Sequence, residues 1–92
     1  MRQILFLPLL VACTGHAQYA GPESVEYDPV GDRYFVSCTD DNSIRQRAQD
    51  GTVSAFVVDA GGAPYGIELM GDTLFANVGG SVRGFRTSDG SM

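Results

Sequence analysis

The chain lacks several residue types on which common protein functions depend. Its 92 residues include no lysine, and the single histidine, His16, lies near the N-terminus. Six arginines stand against eleven acidic residues, so the formal net charge is −5. Such a surface repels phosphate backbones, so we expect no nucleic-acid partner. Beyond residue 16 the chain has no imidazole, the usual proton acceptor at neutral pH.

Sequence motifs of common catalytic sites are also absent. There is no Gly-x-Ser-x-Gly, no Walker loop, no His-Glu-x-x-His and no closely spaced cysteine pair. Of the two cysteines, only Cys38 falls in the strand-forming part of the chain, so no internal disulfide is expected. Cys38 ends an apolar run and is predicted to be a small buried side chain. We predict no catalytic residue and no cofactor for this chain by itself.

The first 17 residues have the layout of a secretory signal peptide. Arg2 precedes an apolar run over 4–12, and small residues stand at Gly15 and Ala17, the positions that a signal peptidase recognises. A membrane-spanning helix needs about 20 apolar residues, so no transmembrane helix is expected. Cleavage after Ala17 leaves five arginines against eleven acidic residues, a net charge of −6. These features predict an exported protein, either periplasmic or extracellular.

A second interpretation of the N-terminus stays open. Leu10-Val11-Ala12-Cys13 is similar to a bacterial lipobox, in which the cysteine is lipidated and becomes the first mature residue. Residues 1–12 would then be a lipoprotein signal. Cys13 would hold the protein at a bacterial membrane through a lipid anchor.

The rest of the chain repeats itself about once every forty residues. Three pairs of motifs mark the repeat at decreasing offsets: Pro22 and Pro64 (42), Gly31-Asp32 and Gly71-Asp72 (40), and Ser43-Ile44-Arg45 and Ser81-Val82-Arg83 (38). Each unit is a run of short strands separated by turn residues. A period near 40 with several strands per unit is the signature of a β-propeller blade.

Seven strands are predicted, with almost no helix after residue 17. Ser24–Asp28 alternates, with Val25 and Tyr27 on one side and polar side chains on the other, which predicts a strand with a wetter polar face. Arg33–Cys38 is almost continuously apolar, which predicts a strand covered on both faces. The remaining predicted strands, separated by turn residues, are 43–47, 52–58, 65–70, 73–78 and 81–86.

The predicted fold class is therefore all-β, with two antiparallel four-stranded blades of which the second is incomplete. Residues 18–21 are a linker, 22–63 the first blade and 64–92 the second. Propellers close with roughly four to eight blades, so we expect a truncated, N-terminal fragment or a chain that self-associates, and we favour the fragment. Further blades or further copies are needed to cover an apolar surface above the ~300–600 Å² of ordinary monomers.

The first unit resembles the opening of a known protein family. Glu23-Ser24-Val25-Glu26-Tyr27-Asp28 is similar to the Glu-Ser-Pro-Val-Trp-Asp of the gluconolactonase, senescence-marker-protein and luciferin-regenerating-enzyme family. The segments 31–37 and 43–45 look like the second and third strands of that family. NHL-type propellers also open blades with Pro-Glu-Ser, so the chain resembles both groups.

The first resemblance implies a six-bladed propeller that holds one divalent metal and hydrolyses sugar lactones. Glu23 then corresponds to a metal-ligand glutamate, for Ca²⁺ or another divalent metal in a full-length propeller. The family's other ligands come from later blades, and Pro64-Tyr65-Gly66 differs from the Asn-Asp-Gly that opens one of them. One carboxylate supplies one or two of the roughly six to eight oxygens that Ca²⁺ needs.

Two functional hypotheses follow from these observations. The first is an exported, NHL-like binding or scaffold module whose partner is a small molecule or a protein. The alternative is a metal-dependent sugar-lactone hydrolase, incomplete here, in which Glu23 acts with ligands from further blades. Asp40-Asp41-Asn42 lacks the spacing of a calcium loop and predicts a hairpin turn. We favour the binding module.

Overall fold

The computed structural model describes residues 18–92. The predicted signal peptide and Cys13 lie outside this range. Within it no helix is long and apolar enough to cross a membrane. Seven β-strands are present: β1 (Pro22–Asp28), β2 (Arg33–Cys38), β3 (Ser43–Ala48), β4 (Val53–Val57), β5 (Pro64–Met70), β6 (Thr73–Val78) and β7 (Ser81–Arg86).

The strands form two antiparallel sheets in sequence order. The first sheet is β1-β2-β3-β4 and the second is β5-β6-β7. The predicted all-β fold with antiparallel strands is confirmed, and each predicted strand boundary lies within two residues of the observed one. Pro22 and Pro64 begin β1 and β5, which are edge strands, where the missing N–H of proline costs no sheet hydrogen bond.

The decreasing offset of the repeat has a simple structural cause. Equivalent strands have equal lengths, and their starts differ by 42 for β1 and β5, by 40 for β2 and β6, and by 38 for β3 and β7. In the first sheet the hairpin loops 29–32 and 39–42 have four residues, whereas 71–72 and 79–80 in the second sheet have two. Three strands of each sheet therefore correspond residue by residue.

The hairpin loops contain residues that tolerate a left-handed backbone. Gly79 and Gly80 have φ of 56° and 84°, so both central positions have the positive φ of a type I′ turn. In the four-residue loops the left-handed residues are Asp32 and Asn42, with φ of 52° and 61°. Asp and Asn adopt this conformation more readily than other non-glycine residues, as their place in turns predicted.

The two sheets pack face to face around one apolar core. Its buried side chains come from both sheets and from the segment between them: Phe35, Ile44, Val57, Ala60, Leu74, Ala76, Val78 and Phe85. Phe56 packs against this core with its ring centre 4.6 Å from that of Phe35. Because the core lies between the sheets, each sheet has one covered face and one open face.

The burial of β1 is the reverse of the sequence prediction. Its side chains alternate as expected, but Val25 and Tyr27 are 62% and 44% exposed, whereas Asp28 is buried. The polar side chains face the second sheet, where the Glu26 carboxylate accepts a hydrogen bond from Leu69 N–H at 2.9 Å. The prediction that the polar face is the wetter one is therefore wrong. Hydrogen bonds from Leu69 N–H to Glu26 and from Arg33 to Asp28 replace those that these carboxylates would make to water.

The predicted coverage of β2 on both faces is complete on one face and partial on the other. Phe35 and Ser37 are buried against the second sheet. On the other face Tyr34 is 42% exposed, Val36 is partly buried and Cys38 is fully buried.

The segment 18–21, predicted as a linker, is tied to the first sheet by backbone hydrogen bonds. The carbonyl oxygen of Gly21 accepts from Thr39 N–H at 2.9 Å. The carbonyl oxygen of Ala20 accepts from Asp40 N–H at 3.0 Å. These two bonds hold the chain beside the β2–β3 loop before β1 begins.

Candidate functional site

Glu23, the predicted metal ligand, lies on a β-bulge near the start of β1. Pro22 pairs with Cys38 and Ser24 pairs with Ser37, so Glu23 is the extra residue on its strand. Bulges turn a side chain away from the regular alternation of the strand and are frequent beside active sites. Glu23 is exposed and borders a shallow depression of about 180 Å³.

Among the described residues, Glu23 belongs to no cluster of potential metal ligands. Within residues 18–92 there is no group of three or more His, Cys, Asp or Glu side chains that could hold a metal ion. The repeat-equivalent position in the second sheet is Tyr65, which offers no carboxylate. The metal site at Glu23 that the family resemblance implies therefore stays a prediction.

Four other aspartates cap turns instead of gathering at one site. In each case the carboxylate accepts a hydrogen bond from the N–H two residues further on: Asp41 from Ser43, Asp50 from Thr52, Asp59 from Gly61 and Asp89 from Ser91. The hydroxyl of Ser43 lowers the pKa of Asp41 below the ordinary value, and the N–H groups of Thr52 and Ser91 lower the pKa of Asp50 and Asp89 in the same way. Asp40-Asp41-Asn42 lies in the β2–β3 loop, so its prediction as a turn is confirmed.

A larger depression lies between the sheets at the opposite end of β1 from Glu23. It has a volume of about 490 Å³ and adjoins a second one of about 410 Å³. We call the two together the turn-end cleft. Loops of both sheets and the segment after β7 line it, among them Val30, Gly71, Asp72, Thr87 and Ser88.

Arg33 lies at the base of the turn-end cleft and links the two sheets. Its Nε donates to Asp28 Oδ2 at 2.9 Å and its Nη1 to Gln46 Oε1 at 2.7 Å. Its Nη2 donates to the carbonyl oxygen of Thr87, beyond β7. The guanidinium carbon also lies 4.6 Å from the ring centre of Phe35. Because all three of its guanidinium nitrogens donate hydrogen bonds, Arg33 connects the first sheet to the segment after β7 at the base of the cleft.

Asp28 stays ionised although it is buried beneath the turn-end cleft. Burial by itself raises the pKa of a carboxyl group, because the charged form loses water. The Arg33 guanidinium and the backbone N–H groups of Gly31 and Val30 donate hydrogen bonds to the carboxylate, and together they outweigh burial. The pKa of Asp28 therefore lies below its ordinary value, which keeps the ion pair with Arg33 charged at neutral pH.

Sequence reasoning missed the turn-end cleft. The sequence predicts Asp28 as the end of one strand and Arg33 as the start of the next. One available signal was their position on either side of a four-residue loop, since opposite charges favour a cross-strand pair. No signal linked Arg33 to Thr87, 54 positions further on.

Cys38 has the structural role that the sequence predicted. It is a free thiol, fully buried at the end of β2. Its Sγ lies 3.8 Å from the carbonyl oxygen of Val36. A buried thiol of this kind behaves as a small apolar side chain.

Glu23 is thus an exposed carboxylate at one end of β1. The turn-end cleft lies at the other end, above the hydrogen-bonded ion pair of Asp28 and Arg33. The first arrangement needs further ligands to bind a metal, whereas the second is formed entirely by residues 18–92. Comparison with models of known protein families, with curated proteins and with solved structures finds no match.

Proposed function

We propose that the chain is an exported binding or scaffold module built from two blades of a β-propeller. The observation that supports this proposal is the residue-by-residue correspondence of two antiparallel sheets that pack face to face around one core. Propellers are built by this kind of repetition. A binding module needs only a rigid scaffold and exposed loops at its ends, and the absence of catalytic motifs agrees with that role.

The surface that we propose for ligand binding is the turn-end cleft. Loops from both sheets meet there, and Arg33, which is held by Asp28, joins them through its hydrogen bond to the Thr87 carbonyl oxygen. Asp72, Thr87 and Ser88 bring polar groups to its walls. A cleft of this size, in which a few polar groups stand among a largely apolar lining, suits a small molecule with polar groups or a segment of a protein.

Nuclear magnetic resonance with a library of small polar compounds tests this proposal. Binding should shift backbone amide signals of the cleft loops and leave those of the β2–β3 loop unchanged. Ser88→Trp, which fills the cleft, should abolish the shifts, whereas Ser54→Trp, at an exposed position of β4, should not. Shifts elsewhere on the chain, or shifts that persist in Ser88→Trp, would contradict the proposal.

A second candidate function is a metal-dependent sugar-lactone hydrolase. The observation in its favour is the bulge that presents Glu23 at the end of β1 opposite the turn-end cleft. Glu23 would supply one oxygen ligand to a hard divalent cation such as Ca²⁺, and further blades would supply the rest. Such a metal activates a water molecule for attack on the lactone carbonyl.

Calorimetric titration with Ca²⁺ separates the two functions. In a longer chain that includes the further blades, a hydrolase site predicts micromolar binding that is lost in Glu23→Ala and retained in Glu68→Ala, which removes an exposed carboxylate from the second sheet. The absence of binding heat in that longer chain favours the binding module. Equal binding by both variants would exclude Glu23 as the ligand.

A further inference from the structure

The residues on the open face of the first sheet are the repeat equivalents of residues on the covered face of the second sheet. This open face, which we call the back face, carries Val25, Tyr27, Tyr34, Val36 and Arg45. The repeat-equivalent residues of the second sheet are Ile67, Leu69, Leu74, Ala76 and Arg83. Those residues lie on the side that packs against the first sheet. The back face therefore has the position and apolar character of one half of the internal interface.

The open face of the second sheet corresponds in the same way to the covered face of the first. This front face carries Gly66, Glu68, Phe75, Asn77 and Val82. Their equivalents in the first sheet are Ser24, Glu26, Phe35, Ser37 and Ile44, on the side that receives the second sheet. The chain thus exposes both halves of an interface that it already forms once within itself.

We propose that the front face of one chain binds the back face of a second copy, head to tail. The two faces differ, so the contact is heterologous and repeats until a ring closes. Rings of four, six or eight sheets correspond to two, three or four copies, within the range known for propellers. This assembly goes beyond the proposed binding function and rests only on the packing of the two sheets.

The internal interface indicates one polar contact between copies. Within the chain, the Glu26 carboxylate accepts from Leu69 N–H at 2.9 Å. The equivalent residues are Glu68 on the front face and Tyr27 on the back face. In the assembly, Glu68 of one copy accepts from Tyr27 N–H of the next. Glu68 is exposed in the single chain.

A second polar contact follows from the buried serine of β2. Ser37 Oγ donates to the carbonyl oxygen of Tyr65 at 2.6 Å. The equivalents are Asn77 on the front face and Glu23 in β1. The Asn77 carboxamide of one copy then donates to the Glu23 carbonyl oxygen of the next. Asn77, like Glu68, is exposed in the single chain.

The apolar side chains and the arginine of the two open faces also fit head-to-tail packing of the front face on the back face. The front face has a shallow depression of about 270 Å³ bordered by Phe75 and Val82, which can receive aromatic side chains of the back face. On the back face, Arg45 Nε is buried without a hydrogen-bond partner among residues 18–92. Its equivalent, Arg83, donates through Nη1 to the carbonyl oxygen of Ala60 at 2.7 Å, beside the internal interface.

Sedimentation velocity of the full chain over a concentration series tests the assembly. The chain has a mass of 9.8 kDa, and we expect species of two, three or four times that mass that dissociate on dilution. Val82→Arg blocks the front face and Val25→Arg blocks the back face, so each variant alone should remain monomeric. Gln49→Arg, at an exposed position of the β3–β4 loop that lies on neither face, should assemble like the unmodified chain.

Mixing the two blocked variants tests the head-to-tail geometry. Val25→Arg keeps an intact front face and Val82→Arg keeps an intact back face, so the mixture should form a 1:1 pair that grows no further. A two-fold symmetric contact would not be restored by mixing. An unmodified chain that stays monomeric at every concentration, or a mixture that forms no pair, would overturn the proposal.

Glu68→Ala tests the same interface without placing a charge on an apolar face. Loss of the hydrogen bond to Tyr27 N–H should weaken the association constant roughly tenfold. Asp40→Ala, which removes an exposed carboxylate from the β2–β3 loop, should leave it unchanged. Circular dichroism verifies that each variant is folded, so the test stands even where an arginine variant unfolds. An association constant unchanged by Glu68→Ala would contradict the proposed contact.

Discussion

Buried polar side chains hold the two sheets in their relative position. Asp28 is only 3% exposed, and its carboxylate is matched by Arg33, which in turn contacts the segment after β7. A buried charge costs several kcal/mol unless it is paired and hydrogen-bonded. The apolar core alone has no such directional requirement, so the hydrogen bond from Arg33 to the Thr87 carbonyl oxygen, with Arg33 held in place by Asp28, favours one orientation of the sheets.

Asp28→Asn should lower stability and weaken its dependence on pH. The pKa of Asp28 is lower in the folded chain than in the unfolded one, where aspartate titrates near ~3.9. Its stabilising contribution is therefore present above about pH 4 and is lost as the pH falls through the folded pKa. At pH 7 the variant should lose about 2–4 kcal/mol of unfolding free energy, because Arg33 is left without its partner.

Urea denaturation between pH 2 and 7 measures both effects. In the variant, the fall in unfolding free energy below pH 4 should be smaller than in the unmodified chain. Asp41, Asp50 and Asp89 also have lowered pKa values, so part of the fall should remain. Asp40→Asn, an exposed control, should leave stability at pH 7 unchanged. An equal loss of unfolding free energy in Asp28→Asn and Asp40→Asn would show that the buried carboxylate stabilises the chain no more than an exposed one.

At the scale of single elements, the hairpins follow closely from their turn residues. Gly79-Gly80 between two apolar runs predicts a two-residue loop, and both glycines have the positive φ that the loop requires. Asp40-Asp41-Asn42 likewise predicted a turn, and Asn42 is its left-handed residue. Such features depend on a few neighbouring residues, which is why the sequence alone located them.

Gly79→Asn should leave stability unchanged or raise it by up to about 1 kcal/mol. Asparagine tolerates the left-handed conformation of a type I′ turn and has less freedom than glycine in the unfolded chain. No atom lies within 4 Å of a Cβ placed at this position. Gly79→Val, the matched control, should lose about 1–3 kcal/mol because a β-branched residue is strained at φ 56°. Thermal unfolding compares them, and equal melting temperatures would contradict this account.

The glutamate on the β1 bulge shows where prediction at this scale stops. Glu23 was selected from a sequence resemblance, and the structure places it at the end of a strand with an exposed side chain. A metal site requires several ligands that converge in space, and their convergence depends on distant parts of the chain. Local sequence can therefore identify one candidate ligand but cannot show that the other ligands of a metal site lie close to it.

At the scale of the whole molecule, both sheets depend on one core. Phe35 is fully buried between the sheets, next to Phe56 and among side chains of the second sheet. Phe75 is its repeat equivalent, but it lies on the open front face and is only partly buried. The two phenylalanines have the same place in their own sheets and differ in what covers them.

Phe35→Ala should therefore destabilise the chain far more than Phe75→Ala. Removal of a buried phenylalanine costs about 3–5 kcal/mol, which is comparable to the whole stability of a small domain. For Phe75→Ala in the monomeric chain we expect roughly a third of that cost, because its ring still contacts solvent. Chemical denaturation at concentrations below any association measures both, and similar losses would contradict a single core between the sheets.

The sequence by itself determined the strands, the turns and the forty-residue repeat, because each depends on alternation, turn chemistry and spacing along a few residues. Only the tertiary structure decided which face of each strand is buried. In β1 the polar face is covered, since Glu26 and Asp28 find hydrogen-bond partners across the sheets or beside the cleft. Period-two alternation separates two faces, but the partner that each face meets is set by chain segments far away in sequence.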